Sequence, residues 1–354
     1  MRKRKNTRKY IKYIVVITCF VITILLMFVF KRNILNYNGL NKINIKEIFN
    51  IQNDKVNKAK YEKEKKPKIY SGNSRNVAVM VSNEKAAWPQ AGLLNAYMIY
   101  ECIIEGGETR FMALYKADNL PEKIGPVRSS RHYYLDYAAE HDPIYAHFGW
   151  SDLAMQRIKQ RGVQNINGIY DKYYYREGGG YNNAFVSKNS ILDFAKQKGY
   201  PLTTNREFLL KLSGKNVDIE GENICNNLKL TYSQKHNVTY KYDAENKVYL
   251  RSMRGINHID RVTKEQIKAK NIVVLKVKNF NLNDYVGSPR QDLNNIGSGE
   301  GYYITNGKYT KITWNKSQYN QNTVIKDLNG KEIILNDGLT FMQIVPDKYN
   351  VEIY

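Results

Sequence analysis

Cysteine is scarce in this chain: three in 354 residues, too few for a disulfide framework. Cys19 lies inside an apolar run, which leaves Cys102 and Cys225. Distance in sequence says nothing of whether two thiols meet, and two unpaired structural thiols are the expectation. Acids are short as well. Lys and Arg number 55 against 33 Asp and Glu, a net charge of +22. Seven of these bases fall in the first thirty residues, where there is no acid, leaving +15 for the remainder. A surface that basic is drawn to anionic partners such as phospholipid headgroups, phosphate-bearing wall polymers or nucleic acid. Chemical signatures are few. His132, His141 and His147 sit close in sequence, but without a His-Glu-x-x-His pair or a thiolate pair they are expected to be solvated or hydrogen-bonded rather than metal ligands. Gly178-Gly179-Gly180 lacks the Lys-Ser/Thr and the strand–helix setting of a nucleotide loop and is expected to be a flexible loop. Ser129 and Ser130 lack a nucleophile elbow. No internal repeat is present.

Long apolar runs are missing everywhere but once. Tyr13–Phe30, YIVVITCFVITILLMFVF, has no charge and no helix breaker. At 1.5 Å per residue a helix of this length spans roughly 27 Å, close to the hydrocarbon core of a bilayer. Seven bases precede it and only Lys31 and Arg32 follow at once, so the positive flank stays in the cytoplasm and the bulk of the chain lies outside. The exit Met27–Arg32 offers no small-residue cleavage site. The expectation is an uncleaved, single-pass anchor in the cell membrane with an extracellular ectodomain, which makes nucleic acid an unexpected partner.

Residues 1–12 then form a cytoplasmic basic segment, 13–30 the transmembrane anchor and 31–72 a polar tether rich in Lys and Glu. Residues 73–235 alternate strand and helix patterns. NVAVMVS at Asn76–Ser82, Tyr97–Glu105, Thr109–Lys116 and Lys123–Val127 read as strands. Ser129–His141, Ser151–Arg161 and Asn189–Gln197 read as helices, the first of them amphipathic. From 236 to 354 short strands follow one another between Asn, Asp and Gly turns, among them EIILND at 332–337 and TFMQIVP at 340–346. The expected fold is an α+β or α/β ectodomain followed by a β-rich C-terminal domain.

Three blocks carry a family resemblance: Trp88-Pro89-Gln90-Ala91-Gly92-Leu93, the stretch Glu105–Phe111 (EGGETRF), and Gly125–Arg131 (GPVRSSR). Further along, Tyr249-Leu250-Arg251, His258-Ile259-Asp260, Gly297-Ser298-Gly299 and Trp314-Asn315-Lys316 continue it over roughly residues 75–350. In these the chain resembles the YerB-like family of bacterial envelope proteins, a group without a settled biochemical function. It departs from the family at its anchor, where relatives look like lipoproteins, and at Tyr181-Asn182-Asn183, where they carry Pro-His-Asn. The order of blocks from Thr109 to Ile169 is also remotely similar to the LytR–CpsA–Psr family. That likeness implies glycopolymer transfer with a divalent metal, Arg128 and Arg131 on a pyrophosphate, and Glu108 or Asp136 as the acid.

Arg110, Arg128 and Arg131 are the candidate ligand-binding residues, with Glu108 and Ser129 beside them. A guanidinium matches phosphate oxygens with paired donors, and a helix starting at Ser129 would add a hydroxyl and free N–H groups. The alternative is that the arginines pair with Glu101, Glu105, Glu108 or Asp136 and hold the fold. Three functions follow: binding of an anionic envelope polymer or lipid phosphate without a cofactor, a metal-dependent phosphoglycosyl transferase or hydrolase on the same residues, or a scaffold that docks a membrane enzyme.

Overall fold

Seven consecutive buried residues, Asn76–Ser82 (β1), begin the fold. A strand apolar on both sides must be covered on both, and the rest of the architecture supplies two covers. The computed structural model describes residues 72–206, 211–212, 216–220, 223–282 and 289–354. The predicted anchor Tyr13–Phe30 and nearly all of the predicted tether lie outside the described residues. Among the described residues no helix is long and apolar enough to cross a membrane.

After β1 come β2 (Met98–Ile103), β3 (Thr109–Lys116), α1 (His132–His141), β4 (Ile144–His147), α2 (Asp152–Gln160), β5 (Asn165–Asn167), the hairpin β6 (Tyr174–Arg176) and β7 (Ala184–Val186), and α3 (Lys188–Lys198). The second half adds β8 (Asn227–Ser233), β9 (His236–Asp243), β10 (Val248–Met253), β11 (Asn271–Val277), β12 (Gly297–Thr305), β13 (Lys308–Lys316), β14 (Val324–Asp327), β15 (Thr340–Pro346) and β16 (Val351–Ile353). Ten strands make one mixed sheet in the order β14-β13-β12-β11-β15-β2-β3-β1-β4-β5. The pairs β1/β4, β4/β5, β2/β15 and β11/β15 are parallel and the others antiparallel. The sheet therefore passes straight through the sequence boundary near residue 235, with β2 and β15 as neighbours, and Lys65–Tyr354 is one compact unit.

Alternation along β2 sends its side chains to two different layers. Tyr100 and Cys102 face α1: Tyr100 stacks on Tyr137 with ring centroids 5.0 Å apart, and the Tyr134 hydroxyl meets the backbone of Cys102. Glu101 faces the other way, toward a smaller antiparallel sheet whose core order is β10-β9-β8-β16. There the alternation is plain: Leu228, Leu230 and Tyr232 of β8 point inward, between half-buried neighbours. Helices, large sheet and small sheet thus form three layers, and the centre of the chain is mostly β.

Helix α1 binds the two halves of the sequence together. His132, Asp136 and Glu140, four residues apart, lie along one face and are all buried. Each reaches the second half: His132 Nε2 to Asp292 at 2.7 Å, Asp136 to Asn295 Nδ2 at 3.1 Å, and Glu140 to Lys316 Nζ at 2.6 Å and the Thr323 hydroxyl at 2.7 Å.

Three local expectations need correction. The helix begins at His132, not Ser129, and nearly all of its residues are buried rather than split between two faces. The preceding residues are extended because their backbones bond to β1 and to the segment after β4: Arg128 N to Met80 O at 2.9 Å and Ser130 N to Gly149 O at 3.0 Å. Lys123–Val127 is not a strand either. Ile124, Gly125 and Val127 each bridge a different partner, and Pro126 has no N–H to extend a ladder. Within EIILND only Ile334–Leu335 forms a strand.

Candidate functional site: an arginine pair around Glu84

Arg110 leaves β3 opposite Ser82 of β1, on the α1 face of the sheet, and its side chain is only 2% exposed. Its Nη1 donates to the Ser129 carbonyl at 2.6 Å. Arg128 sits on the extended segment beside β1 and is 24% exposed. Both guanidinium groups point at one carboxylate, Glu84, in the turn that follows β1. Glu84 Oε1 is 3.5 Å from Arg128 Nη2 and 3.9 Å from Arg110 Nη2, while Oε2 accepts from Asn182 Nδ2 at 3.4 Å. These are long contacts, and they leave two guanidinium donors and two further polar atoms over. Arg110 Nε, Arg128 Nε, Ser82 Oγ and Asn182 Oδ1 are buried without a hydrogen-bond partner, an arrangement that protein interiors seldom tolerate.

Arg131 differs. It stands at the N-cap of α1 and its Nε meets Glu105 Oε1 at 2.5 Å. Burial would lower the Arg131 pKa, but the hydrogen bond and charge of Glu105 outweigh it and raise it. Burial likewise works to raise Glu105, and Arg131 pulls it below its ordinary value. This pair is satisfied and holds the Gly106–Gly107 turn to the start of α1. Arg110 is strained by comparison. Burial first, then the charge of Arg131, and further the charge of Arg128, push its pKa down to about 10, with Glu105 opposing. It remains a cation at neutral pH, inside a cluster of three arginines and two acids, and an added anion would relieve the excess.

Of the five residues predicted, the structure brings Arg110, Arg128, Arg131 and Ser129 together. Ser129 contributes its carbonyl to Arg110, and its hydroxyl donates to Phe148 O at 3.0 Å, so it caps no helix. Glu108 belongs elsewhere: it pairs with Arg254 of the small-sheet layer and lies 3.9 Å from His236 Nδ1. Asp136, the other acid a metal-dependent transferase would need, is held by Arg157 at 2.9 Å and Arg161 at 2.8 Å. Among the described residues no group of three His, Cys, Asp or Glu is placed to hold a metal ion. The three histidines are buried and hydrogen-bonded rather than solvated, His132 to Asp292, His141 to Tyr100 at 2.9 Å and His147 to Gly149 O at 2.8 Å. Cys102 and Cys225 are free and buried. Sequence reasoning missed Glu84, whose position becomes meaningful only once the β1/β3 register sets Ser82 beside Arg110.

Three of the remaining sequence blocks converge on the opposite face of the sheet, while Gly297–Gly299 and Trp314–Lys316 pair with each other in β12 and β13. Glu101, fully buried, receives Arg251 Nη2 at 2.7 Å, Gln343 Nε2 at 3.0 Å, Asn83 Nδ2 at 3.0 Å and the Thr109 hydroxyl at 2.7 Å, with His236 Nε2 at 3.3 Å. Arg251 Nη1 contacts His258 Nδ1 at 2.5 Å, and His258 Nε2 contacts Gln90 Oε1 at 2.9 Å. Asp260 Oδ2 accepts from Leu93 N at 3.0 Å. Trp88–Leu93, Tyr249–Arg251 and His258–Asp260 are therefore parts of one interior rivet between the large and small sheets.

A three-layer, mostly β unit, closed by a buried ion-pair hub and carrying an underpaired arginine pair, is the class of protein these features define. The chain belongs to the family described as Protein of unknown function (DUF3048): residues 63–201 match its N-terminal domain and residues 228–342 its C-terminal domain. It is similar to "Putative lipoprotein YerB" of Bacillus subtilis (strain 168), 32% identical over 282 residues, which cover 77% of this chain and 82% of the relative. The crystal structure of the YerB protein from Bacillus subtilis matches with a TM-score of 0.71 at 28% identity, covering 80% of this chain and 94% of that one.

Proposed function

We propose that this chain is a single-pass, membrane-anchored envelope protein whose extracytoplasmic unit binds a phosphate-bearing component, a lipid phosphate or a wall glycopolymer, at Arg110 and Arg128. Placement at the membrane is supported by the uncharged run Tyr13–Phe30 behind seven bases and by the lipoprotein name of the Bacillus relative. The observation that carries the binding reading is the sharing of one carboxylate by two guanidinium groups at 3.5 and 3.9 Å, with a buried, unpartnered Nε on each. Phosphate would supply the short, charge-assisted acceptors that Glu84 does not. Glu84 acts in this reading as an internal anion that holds the pair in place until a ligand displaces it.

The experiment compares Arg128→Ala with Arg131→Ala in binding of poly(glycerol phosphate) at low salt. Loss of one charge-assisted contact of about 1.5–3 kcal/mol weakens binding roughly 10- to 150-fold in Arg128→Ala. Arg131→Ala, which removes the partner of Glu105, lowers stability instead. Equal affinity in wild type and Arg128→Ala refutes the anion site and leaves the scaffold reading, which the internally satisfied Arg131–Glu105 pair favours.

A further inference from the structure

Exposed large apolar side chains recur in the stretch of chain that borders the arginine pair. Ile169 is 55% exposed, Tyr170 70%, Tyr175 36% and Tyr181 85%, all within one stretch of chain that runs from the end of edge strand β5 through the β6–β7 hairpin. Scattered apolar side chains on a surface carry no message, but a cluster rimmed by charge does. Two short paths lead from this cluster to the site. Gly149 is bordered by both Ile169 Cδ1 and Ser129 Oγ, each 3.2 Å from where a β-carbon would stand. Tyr181 is followed by Asn182, whose amide holds Glu84. Within the stretch two acids, Asp171 and Glu177, balance two bases, Lys172 and Arg176, and the positive balance of the surroundings comes from Lys123 and the neighbouring arginines. Asp171 accepts from the Asn167 backbone at 2.8 Å and Glu177 is paired with Lys123, whereas Lys172 is exposed and the Arg176 guanidinium lies 4.9 Å from the Phe148 ring, beside the Arg128 backbone.

We infer that this rim rests on the surface of an anionic bilayer, with Ile169, Tyr170 and Tyr181 in the headgroup region and Arg128 within reach of lipid phosphate. The inference rests on the anion-binding reading above and narrows its ligand to the lipid-borne form. Tyrosine is suited to that depth because its ring is apolar and its hydroxyl stays wet, and neighbouring bases are attracted by anionic headgroups. A soluble wall polymer would need the basic groups but not the apolar tips. Residues 31–71 join the apolar run to the described unit; fully extended they reach roughly 140 Å at most, so the bilayer is always within range.

The test uses the full chain reconstituted in phosphatidylglycerol vesicles, with Tyr170→Trp and Tyr181→Trp as separate probes and lipids brominated on the acyl chains as quencher. Both side chains are exposed, so neither change threatens folding. The control is Leu328→Trp, 67% exposed and just past β14 at the other edge of the ten-stranded sheet, seven strand spacings from β1 and nine from β5, roughly 34–43 Å away. The new emission at 170 and 181 is expected to fall about twofold in brominated vesicles while that at 328 is unchanged. No quenching at 170 and 181, with Arg128-dependent binding of soluble poly(glycerol phosphate) intact, overturns the bilayer contact and leaves the anion site standing. No quenching together with no soluble binding overturns both, and equal quenching at all three positions overturns the assignment to this rim.

Discussion

Replacing Arg251 by Met removes the cation from the Glu101 hub while keeping most of the side chain's length among the rings of Phe111, Phe341 and Tyr240, which the guanidinium now approaches to 5.1, 5.2 and 5.9 Å. Both partners are fully buried. Breaking such a pair by removing one member costs about 3–5 kcal/mol, chiefly through the buried charge left behind. The pH dependence gives a sharper test than the size. Burial alone would raise the Glu101 carboxyl; Arg251, with help from His236 and Thr109, overcomes burial and holds it well below the usual 4.5. A depressed carboxylate contributes stability that is complete above its unfolded pKa and is lost as pH falls below about 4.5 toward the folded value. In Arg251→Met burial is far less opposed and the folded pKa rises above the unfolded one. The folded state then binds the extra proton, so the variant gains stability relative to wild type as pH falls from 7 to 5. Urea unfolding of the Lys65–Tyr354 unit at the two pH values measures both effects. A loss under about 1 kcal/mol at pH 7 would place the hub among surface ion pairs, and a deficit that does not shrink at pH 5 would refute the assignment of the cost to an uncompensated Glu101.

Two further substitutions act on the interior and a third on an exposed turn. Lys316→Met strands Glu140, whose carboxyl burial already raises above its ordinary value; denaturant unfolding should show a loss of about 3 kcal/mol at pH 7 that diminishes toward pH 5. Gly301→Ala would set a β-carbon 1.8 Å from Val274 O, where β12 passes β11 too closely for any side chain, and should cost about 3 kcal/mol or prevent folding. Gly255→Ala, at φ +74 with nothing within 4 Å, should cost only about 1–2 kcal/mol by the same assay.

Strands covered on both faces were the most legible part of the sequence. β1, β3, β11 and β15 are dominated by apolar residues, with single polar interruptions such as Lys276 and Gln343, and are buried along nearly their whole length, and the helix expected at Asn189–Gln197 is α3, one residue longer at each end. The joining of the halves was not legible, because parallel pairing of β2 with β15 brings together residues 242 apart, such as Glu101 and Gln343, through contacts that leave no local pattern. For the same reason Arg251, His258 and Gln90 could be quoted as blocks but not seen as one network. Helix α1 misled in a different way: Asp136 and Glu140 look like a solvent face and are instead buried and paired. At the site, guanidinium chemistry singled out Arg110, Arg128 and Arg131, but only tertiary geometry separates the satisfied Arg131 from the underpaired two, and only the β1/β3 register reveals Glu84.

The measurement that bears most directly on the arginine site is the affinity of Glu84→Gln for poly(glycerol phosphate), by calorimetry at low salt, beside wild type. If Glu84 holds the pair in place of a ligand, removing its charge strengthens binding about two- to fivefold, the worth of an ion pair of roughly 0.5–1 kcal/mol, and makes binding more sensitive to salt. If Glu84 is instead part of what holds the fold, the same change leaves affinity unchanged or lowers it together with stability, and the anion site is contradicted.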